Sequence, residues 1–441
     1  MTSSSLGVDR SLGGAPREGF PPARREELAR HPTARQLVIS ASSVLVGAAG
    51  HMLSPGAVLI DGESINAVGS PDSLNTLLRH DAVRLDYPGA TVLPGLIDAH
   101  VHLAFAGPPD PLAALNTLDD AALLLTMAGH ARQLLDAGVT TVRDLGDRGY
   151  LAVTLRDSIA SGERLGPRVL TSGAPLTSPG GHCWFLGGEV EEPSQIRNTI
   201  ARHAGHGVDW IKVMASGGNI TPNSPPIWQS QFSDEQLRVV VAEATARGLP
   251  VAAHAHSTAA TAAAALAGAT SIEHCRWLTS ATYDDPDLND DTAAVIAEKG
   301  IIVTPTIGTN YQLNEQRRPG FVEHQTRVLR WQDNHGIRIM NGTDVGVSPF
   351  DLYSHHRYLE AYQRAGFPNA RILDILTRES AAGLGLADQI GTLSHGYSAD
   401  LIVVDGDPLT DLTALGRLLL VVTRGRRHTP GSYRAPSAKL R

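Results

Sequence analysis

Eight short apolar runs recur between residues 93 and 341, at 93–100, 140–144, 168–172, 210–215, 251–254, 271–274, 301–304 and 337–341. Helical spacing fills the intervals, at 119–137, 194–206, 233–247, 259–267 and 292–299. Ser233 with Glu235 and Gln236 reads as a helix start, and Gly248 before Pro250 as its stop. A strand-then-helix unit repeated eight times over roughly 290 residues has the count and length of a (β/α)8 TIM barrel with insertions. A doubly wound sheet shares the alternation. The polar residues favour the barrel. His100 and His102, Lys212, His254, His274 and Asp344 fall at the C-terminal ends of runs one, four, five, six and eight. Bringing them to one point requires a closed ring.

Both ends of the chain have a different pattern. Short strands with turns occupy 37–87, clearest at 44–46, 57–63 and 65–69, and recur at 400–405 and 418–422. They predict a small composite β-sandwich assembled from 37–90 plus 388–435, around a barrel domain at 91–387. Residues 1–36 are rich in Ser, Gly, Pro and Arg, lack an apolar core and read as a flexible extension, not a secretory signal. Asp9, Glu18, Glu26 and Glu27 disfavour a transit peptide.

The chain has 441 residues, 42% of them hydrophobic, enough for one large α/β domain and a smaller one. A net charge of −8 gives no basic footprint for nucleic acid. No apolar stretch approaches the roughly 18 residues of a membrane span. Two cysteines, Cys183 and Cys275, cannot build a disulfide framework, which fits a reducing cytoplasm. A homo-oligomer is expected.

The chemistry starts at Asp98-Ala99-His100-Val101-His102. Residues two apart on a strand share a side, so two imidazoles leave one strand end together. Alone the pair is a weak signal; the polar residues closing the later strands strengthen it. Histidine and carboxylate donors suit Zn²⁺, with Mn²⁺, Co²⁺ or Fe²⁺ as alternatives, and without a Cys cluster a structural zinc site is not expected. Two ions about 3.5–4 Å apart can share a hydroxide that attacks a carbonyl. A carboxylate beside it can carry the proton to the leaving nitrogen, and Asp344 is the candidate.

These residues resemble the amidohydrolase superfamily over roughly 37–422. There the first barrel strand ends in Pro-Gly-hydrophobic-hydrophobic-Asp-x-His-x-His, as Pro94 to His102 do here. The resemblance implies that His100 and His102 bind the more buried ion. It implies that Lys212, in Ile211-Lys212-Val213, is carboxylated by CO₂ and bridges both ions. Its apolar neighbours suit this, because burial favours the neutral amine that reacts. His254 and His274 would hold the second ion, and Asp344 would be ligand and general base/acid. Gly138 to Asp144, Ser271-Ile272-Glu273-His274, and Gly391-Thr392-Leu393 leading to Ala399-Asp400-Leu401 resemble the set containing Xaa-Pro dipeptidases, ochratoxin-type amidases and imidazolonepropionase-like enzymes.

Two long loops, 172–193 and 216–232, follow barrel strands on the presumed active face and read as a substrate lid. His182, after Gly180-Gly181, is implied by the resemblance to approach the substrate as a catalytic and binding residue. His256 would touch substrate or the surroundings of the metals. Trp184, Phe185 and Trp228 are candidate pocket walls. Arg143 and Asp144 read as a structural ion pair or as support behind the metal ligands, Cys275 as packing, Cys183 as no nucleophile, and His355 and His356 as a solvated helix face. The expected activity is metal-dependent hydrolysis of a small-molecule amide. A cyclic amide, imide or imidazolone is the first alternative. A mononuclear deaminase is the second, although the stretch 257–266 lacks the glutamate that the resemblance would require. A non-catalytic barrel would have eroded ligands, and all six are present.

Overall fold

The computed structural model describes residues 36–430, apart from 48–49, 284, 309–310 and 351–354. The expected extension therefore lies outside the described residues, except Gln36. His355 and His356 open a helix, His355–Arg364, but their side chains also lie outside the description.

Alternating apolar residues at the chain's start form β1 (Leu37–Leu45), β2 (Met52–Leu53), β3 (Gly56–Asp61), β4 (Ser64–Gly69) and β5 (Val83–Pro94). Eight barrel strands follow: β6 (Leu96–Val101), β7 (Val139–Asp144), β8 (Arg168–Thr171), β9 (Ile211–Met214), β10 (Val251–Ser257), β11 (Ser271–Leu278), β12 (Ile302–Thr304) and β13 (Arg338–Ile339). The far end of the chain returns as β14 (Leu401–Asp405), β15 (Leu418–Thr423) and β16 (Arg426–His428).

One sheet joins both ends in the order β16-β15-β14-β5-β1-β3-β4, with β2 paired to β1. Leu37, Ile39, Val58, Ile60, Val92, Leu401, Val403, Leu420 and Val422 share its main core. Val38, Ala57, Leu59 and Leu74 fill a smaller one. The sheet bends back on itself where the turn at Gly62 meets the turn at Gly425. Ala399 donates to the Glu63 carbonyl at 2.8 Å, and Gly425 to the Ala399 carbonyl at 3.1 Å. Gly425 has φ 72°, and a Cβ there would overlap the Gly62 carbonyl oxygen. Only glycine fits both demands. This is the composite β-sandwich that the terminal patterns predict.

Strands β6 to β8 and β9 to β13 form two parallel arcs. Backbone hydrogen bonds close them into a ring. On one side Leu176 donates to the Lys212 carbonyl and Met214 to the Leu176 carbonyl, both at 2.8 Å. On the other, Ala99 donates to the Asn341 carbonyl at 2.9 Å and His102 to the Val345 carbonyl at 2.8 Å. The eight runs are thus the eight barrel strands. The first run differs in extent. Leu93 and Pro94 pair with Ile402 and Leu401 in the terminal sheet, and the barrel strand begins at Leu96. Gly95 makes the break: a Cβ there would overlap Thr140.

The barrel interior is layered. Ile97, Ala99, Leu145, Trp210, Ala252, Ile302 and Met340 form an apolar floor. The Arg143 guanidinium lies over the Trp210 ring at 4.3 Å, and the histidines lie beyond it. Outside the ring, helix Asp234–Thr245 starts with a capping box: Gln236 N donates to Ser233 Oγ at 3.2 Å and Ser233 N to Gln236 Oε1 at 2.9 Å. No helix among the described residues is long and apolar enough to cross a membrane.

Candidate metal centre

Two groups of donors meet at the C-terminal mouth of the barrel. Ring nitrogens of His254, His256 and His274 lie within 4.8 Å of one another, as do donor atoms of His100, His102 and Asp344. The His100 and His274 ring centroids are 5.1 Å apart. Both groups line one cavity of about 300 Å³, together with Lys212, His182, Cys183, Asn219, Arg276, Arg317 and Arg318. The sequence reading left His256 outside the donor set. The strand continues to Ser257, and the His256 ring nitrogen comes within 4.8 Å of those of His254 and His274, at the place expected for a residue touching substrate or the surroundings of the metals.

Burial sets the charge state of the donors. It pushes His100 down to about 4 and His182 to about 3, and holds His254, His256 and His274 well below the ordinary imidazole value. A neutral imidazole keeps the lone pair that a metal requires. Burial likewise lowers Lys212 to about 8. Burial also raises the Asp344 carboxyl, but the His102 hydrogen bond and the neighbouring imidazoles outweigh it and hold the group ionised. Lys212 Nζ is buried and has no hydrogen-bond partner among the described residues. A buried amine left so is costly. With five imidazoles and a carboxylate facing it, this donor set fits a divalent metal centre.

Hydrogen bonds choose which ring nitrogen points inward. His100 Nδ1 is 2.8 Å from Glu273 Oε2, so that nitrogen donates and Nε2 is free. His274 Nδ1 meets Thr306 Oγ1 at 2.7 Å, also leaving Nε2. His254 Nε2 donates to the Gly217 carbonyl at 3.0 Å, which leaves Nδ1. Behind His100, Arg143 Nη2 donates to Glu273 Oε1 at 2.8 Å, and both side chains are fully buried. Arg143 also donates to the Ala99 carbonyl at 2.7 Å and to Ser271 Oγ at 3.1 Å. Burial raises the Glu273 carboxyl, yet Arg143 and His100 together hold it well below the usual carboxylate range.

The position of Asp344 is fixed by the backbone. Asp98 accepts from His100 N at 3.2 Å, Thr343 N at 3.1 Å and Thr343 Oγ1 at 2.5 Å, tying strand one to the turn carrying Asp344. Asp344 N donates to the His100 carbonyl at 2.9 Å. Asp344 itself has φ 56°, an uncommon left-handed conformation that aims its carboxylate inward. Asp344 Oδ1 lies 3.4 Å from His102 Nε2 and 3.6 Å from His100 Nε2.

The two long loops interlock over the cavity. His182 N donates to Gln231 Oε1 at 2.7 Å, and Cys183 N to Thr221 Oγ1 at 2.9 Å. Thr221 Oγ1 is 3.0 Å from His182 Nδ1. A Cβ at Gly218 would overlap the His182 ring. His182 therefore faces the donors, 4.9 Å from the His254 ring. Trp184 and Trp228 are 45% and 38% exposed, and neither is among the described residues lining the cavity. Burial pushes the Cys183 thiol up to about 12, far from a thiolate. Cys275 is packed in the core.

Of the two expectations for Arg143 and Asp144, a mutual ion pair does not form, whereas Arg143 does stand behind His100 through Glu273. Neighbours on a strand point to opposite sides, so Arg143 faces into the barrel toward Glu273. Asp144 instead accepts from Leu103 N at 2.8 Å and Gly146 N at 3.1 Å. Sequence reasoning gave no role to Glu273, Arg276 or Arg318. For Glu273 a signal was available, an acid inside an otherwise apolar strand directly before a donor histidine.

A family model described as "Amidohydrolase family" matches residues 91–427. The chain belongs to this family and is a metal-dependent hydrolase acting on C–N bonds. It is 27% identical to an ochratoxinase of Aspergillus niger over 422 residues, covering 86% of this chain and 83% of that protein. It is 26% identical to an imidazolonepropionase of Mesorhizobium japonicum over 400 residues, covering 80% and 87%. A crystal structure of a Xaa-Pro dipeptidase with methionine in its active site superposes with a TM-score of 0.77 at 26% identity, covering 89% of this chain and 100% of that one.

Proposed function

We propose that this protein hydrolyses a linear, peptide-like amide bond of a small molecule at a binuclear centre. His100, His102, His254, His274, Asp344 and a CO₂-derived carbamate on Lys212 would hold the two ions, zinc being preferred for this donor set. The carrying observation is that two donor groups and a buried lysine without a partner line one cavity. The likeness to a Xaa-Pro dipeptidase supports a linear substrate. Two free, buried thiols suit a reducing cytoplasm.

When bound, the ions would supply Lewis acidity toward the carbonyl and lower the pKa of water. The chain's own residues do the rest. Asp344 Oδ1, held ionised beside His102, accepts the proton of the attacking water and delivers it to the leaving nitrogen. Thr221 Oγ1 accepts from Cys183 N–H and has a hydroxyl proton to give to His182 Nδ1, the direction this reading takes. That leaves the proton of the neutral ring on Nε2, where it donates to the carbonyl oxygen as negative charge develops. His256 contributes a further ring nitrogen at the second group. The interlocked loops exclude water from this side.

Elemental analysis of wild type and Lys212→Ala, purified side by side, tests the centre. Two divalent ions per wild-type chain, falling in the variant, are expected; one in both proteins refutes a lysine-bridged pair. A parallel panel of linear amides and cyclic imides tests the substrate class, and turnover of cyclic members alone overturns the linear reading.

A further inference from the structure

The C-terminal end of β11 carries a bulge. Between the pairs Ala255–His274 and Ser257–Leu278, β10 advances two residues while β11 advances four. Bulges at the rim of a barrel bend the strand and re-aim its side chains. The backbone here is largely left-handed: His274 has φ 68°, Cys275 47° and Trp277 57°. None of these is a glycine, and such residues persist only where their surroundings over-determine them. His274 belongs to the second donor group, its ring 4.5 Å from that of His254. Its aim therefore depends on what holds the bulge.

One helix grips it residue by residue. Phe321, His324, Trp331 and Gln332 share a face of helix Phe321–Asn334, and each meets a residue of the bulge. His324 Nε2 donates to the Arg276 carbonyl at 2.7 Å, and Gln332 Nε2 to the Cys275 carbonyl at 3.2 Å. The Trp331 ring stands edge-on to Trp277 at 5.0 Å, and the Arg276 guanidinium lies 5.2 Å from the Phe321 ring. His324 and Gln332 are 2% and 0% exposed, so water cannot replace their bonds. His324 Nδ1 lies 3.0 Å from the Tyr283 carbonyl oxygen, beyond the bulge. A neutral ring gives its one proton to the nearer carbonyl, that of Arg276, and a protonated ring serves both. We infer that helix Phe321–Asn334 is a brace that sets the bulge and, through it, the aim of His274. His324 and Gln332 are its positioning residues. They act through the carbonyls of Arg276 and Cys275, two residues and one residue beyond the donor histidine.

Two substitutions at His324 separate the carbonyls. Glutamine places an N–H near the position of Nε2 and keeps the Arg276 bond, whereas asparagine places one near Nδ1 and loses it. The first readout needs no metal. Cys275 lies in the bulge and Cys183 in the loop over the cavity; both are free, buried thiols pushed up to about 12. Their relative rates of maleimide labelling, followed by mass spectrometry on the metal-free chain, report local opening around each. His324→Asn should speed labelling of Cys275 at least tenfold and leave Cys183 near its wild-type rate, and His324→Gln should label as wild type. Equal rates at Cys275 in the two variants, or Cys183 speeding up in step with it, overturn the brace. Gln332→Met, which deletes only the Cys275 bond, repeats the comparison with wild type if His324→Asn unfolds. The second readout is chelator competition on the metal-loaded proteins. His324→Asn should weaken one of two ions about 10–100-fold and spare the other, with His324→Gln near wild type; equal weakening of both ions overturns the link to His274. This arm rests on the binuclear reading, and the thiol arm does not. A single ion in wild type would defeat that reading and leave the labelling rates to decide the brace.

Discussion

Replacing Glu273 by glutamine keeps the shape of the side chain and removes its charge. Arg143 Nη2 lies 2.8 Å from Glu273 Oε1 with both side chains at 0% exposure, so the guanidinium would be left buried and uncompensated. Breaking a buried pair from one side costs about 3–5 kcal/mol. A second effect falls on the donor set. The carboxylate accepts from His100 Nδ1 at 2.8 Å, whereas an amide N–H at that place donates to Nδ1. The imidazole proton then moves to Nε2, the nitrogen that should carry a metal, and affinity should drop about 10–100-fold. Urea unfolding of the metal-free proteins measures the first effect, and chelator competition on the loaded proteins the second. The pH dependence has a definite sign. Burial raises the Glu273 carboxyl, but Arg143 and His100 hold it below its ordinary 4.5, so the unfolded chain binds a proton that the folded one refuses. The stabilisation is complete above that pH and is lost as pH falls below it, so the gap between wild type and variant should narrow in acid. A loss under about 1 kcal/mol at pH 7, with metal affinity unchanged, would refute the account.

Asp344→Asn should abolish amide turnover while circular dichroism and the unfolding midpoint stay near wild type; residual activity above a few per cent would remove Asp344 from proton transfer. Gly342→Ala should destabilise by about 1–3 kcal/mol, because its Cβ would overlap Thr304 and approach His100 Cβ to 2.8 Å. Thermal unfolding reads this, and an unchanged midpoint would contradict the tight packing of that turn. Ser233→Ala should cost about 1 kcal/mol in urea unfolding without changing kcat/KM, since it deletes only the exposed cap of helix Asp234–Thr245.

Local periodicity carried most of the architecture. Apolar runs and helical spacing identified the eight barrel strands, the terminal strands and the capped helix, because each depends on residues a few positions apart. The donors were legible for the same reason, each closing its own run. What the periodicity did not show is the partner of each buried side chain. Arg143 reads as the mate of its neighbour Asp144, but it crosses the barrel to Glu273, 130 positions away. Leu93 and Pro94 read as barrel strand, but pairing with β14 takes them into the sandwich. His256 comes close to His254 and His274 because β10 continues past His254, and strand ends are the least periodic part of a strand. The tryptophans of the two loops point outward while His182 points in, since Thr221, Gln231 and Gly218 hold that loop from the neighbouring one.

The sequence by itself determined the alternation of elements, the strand on which each donor sits and the family to which the motifs belong. Only the tertiary structure decided which ring nitrogens of His100, His254 and His274 are hydrogen-bonded and which acid faces which arginine. The physical reason is range. Strand and helix preferences are written over a handful of residues, whereas charge pairing, tautomer and cavity lining depend on groups that meet only when the ring closes.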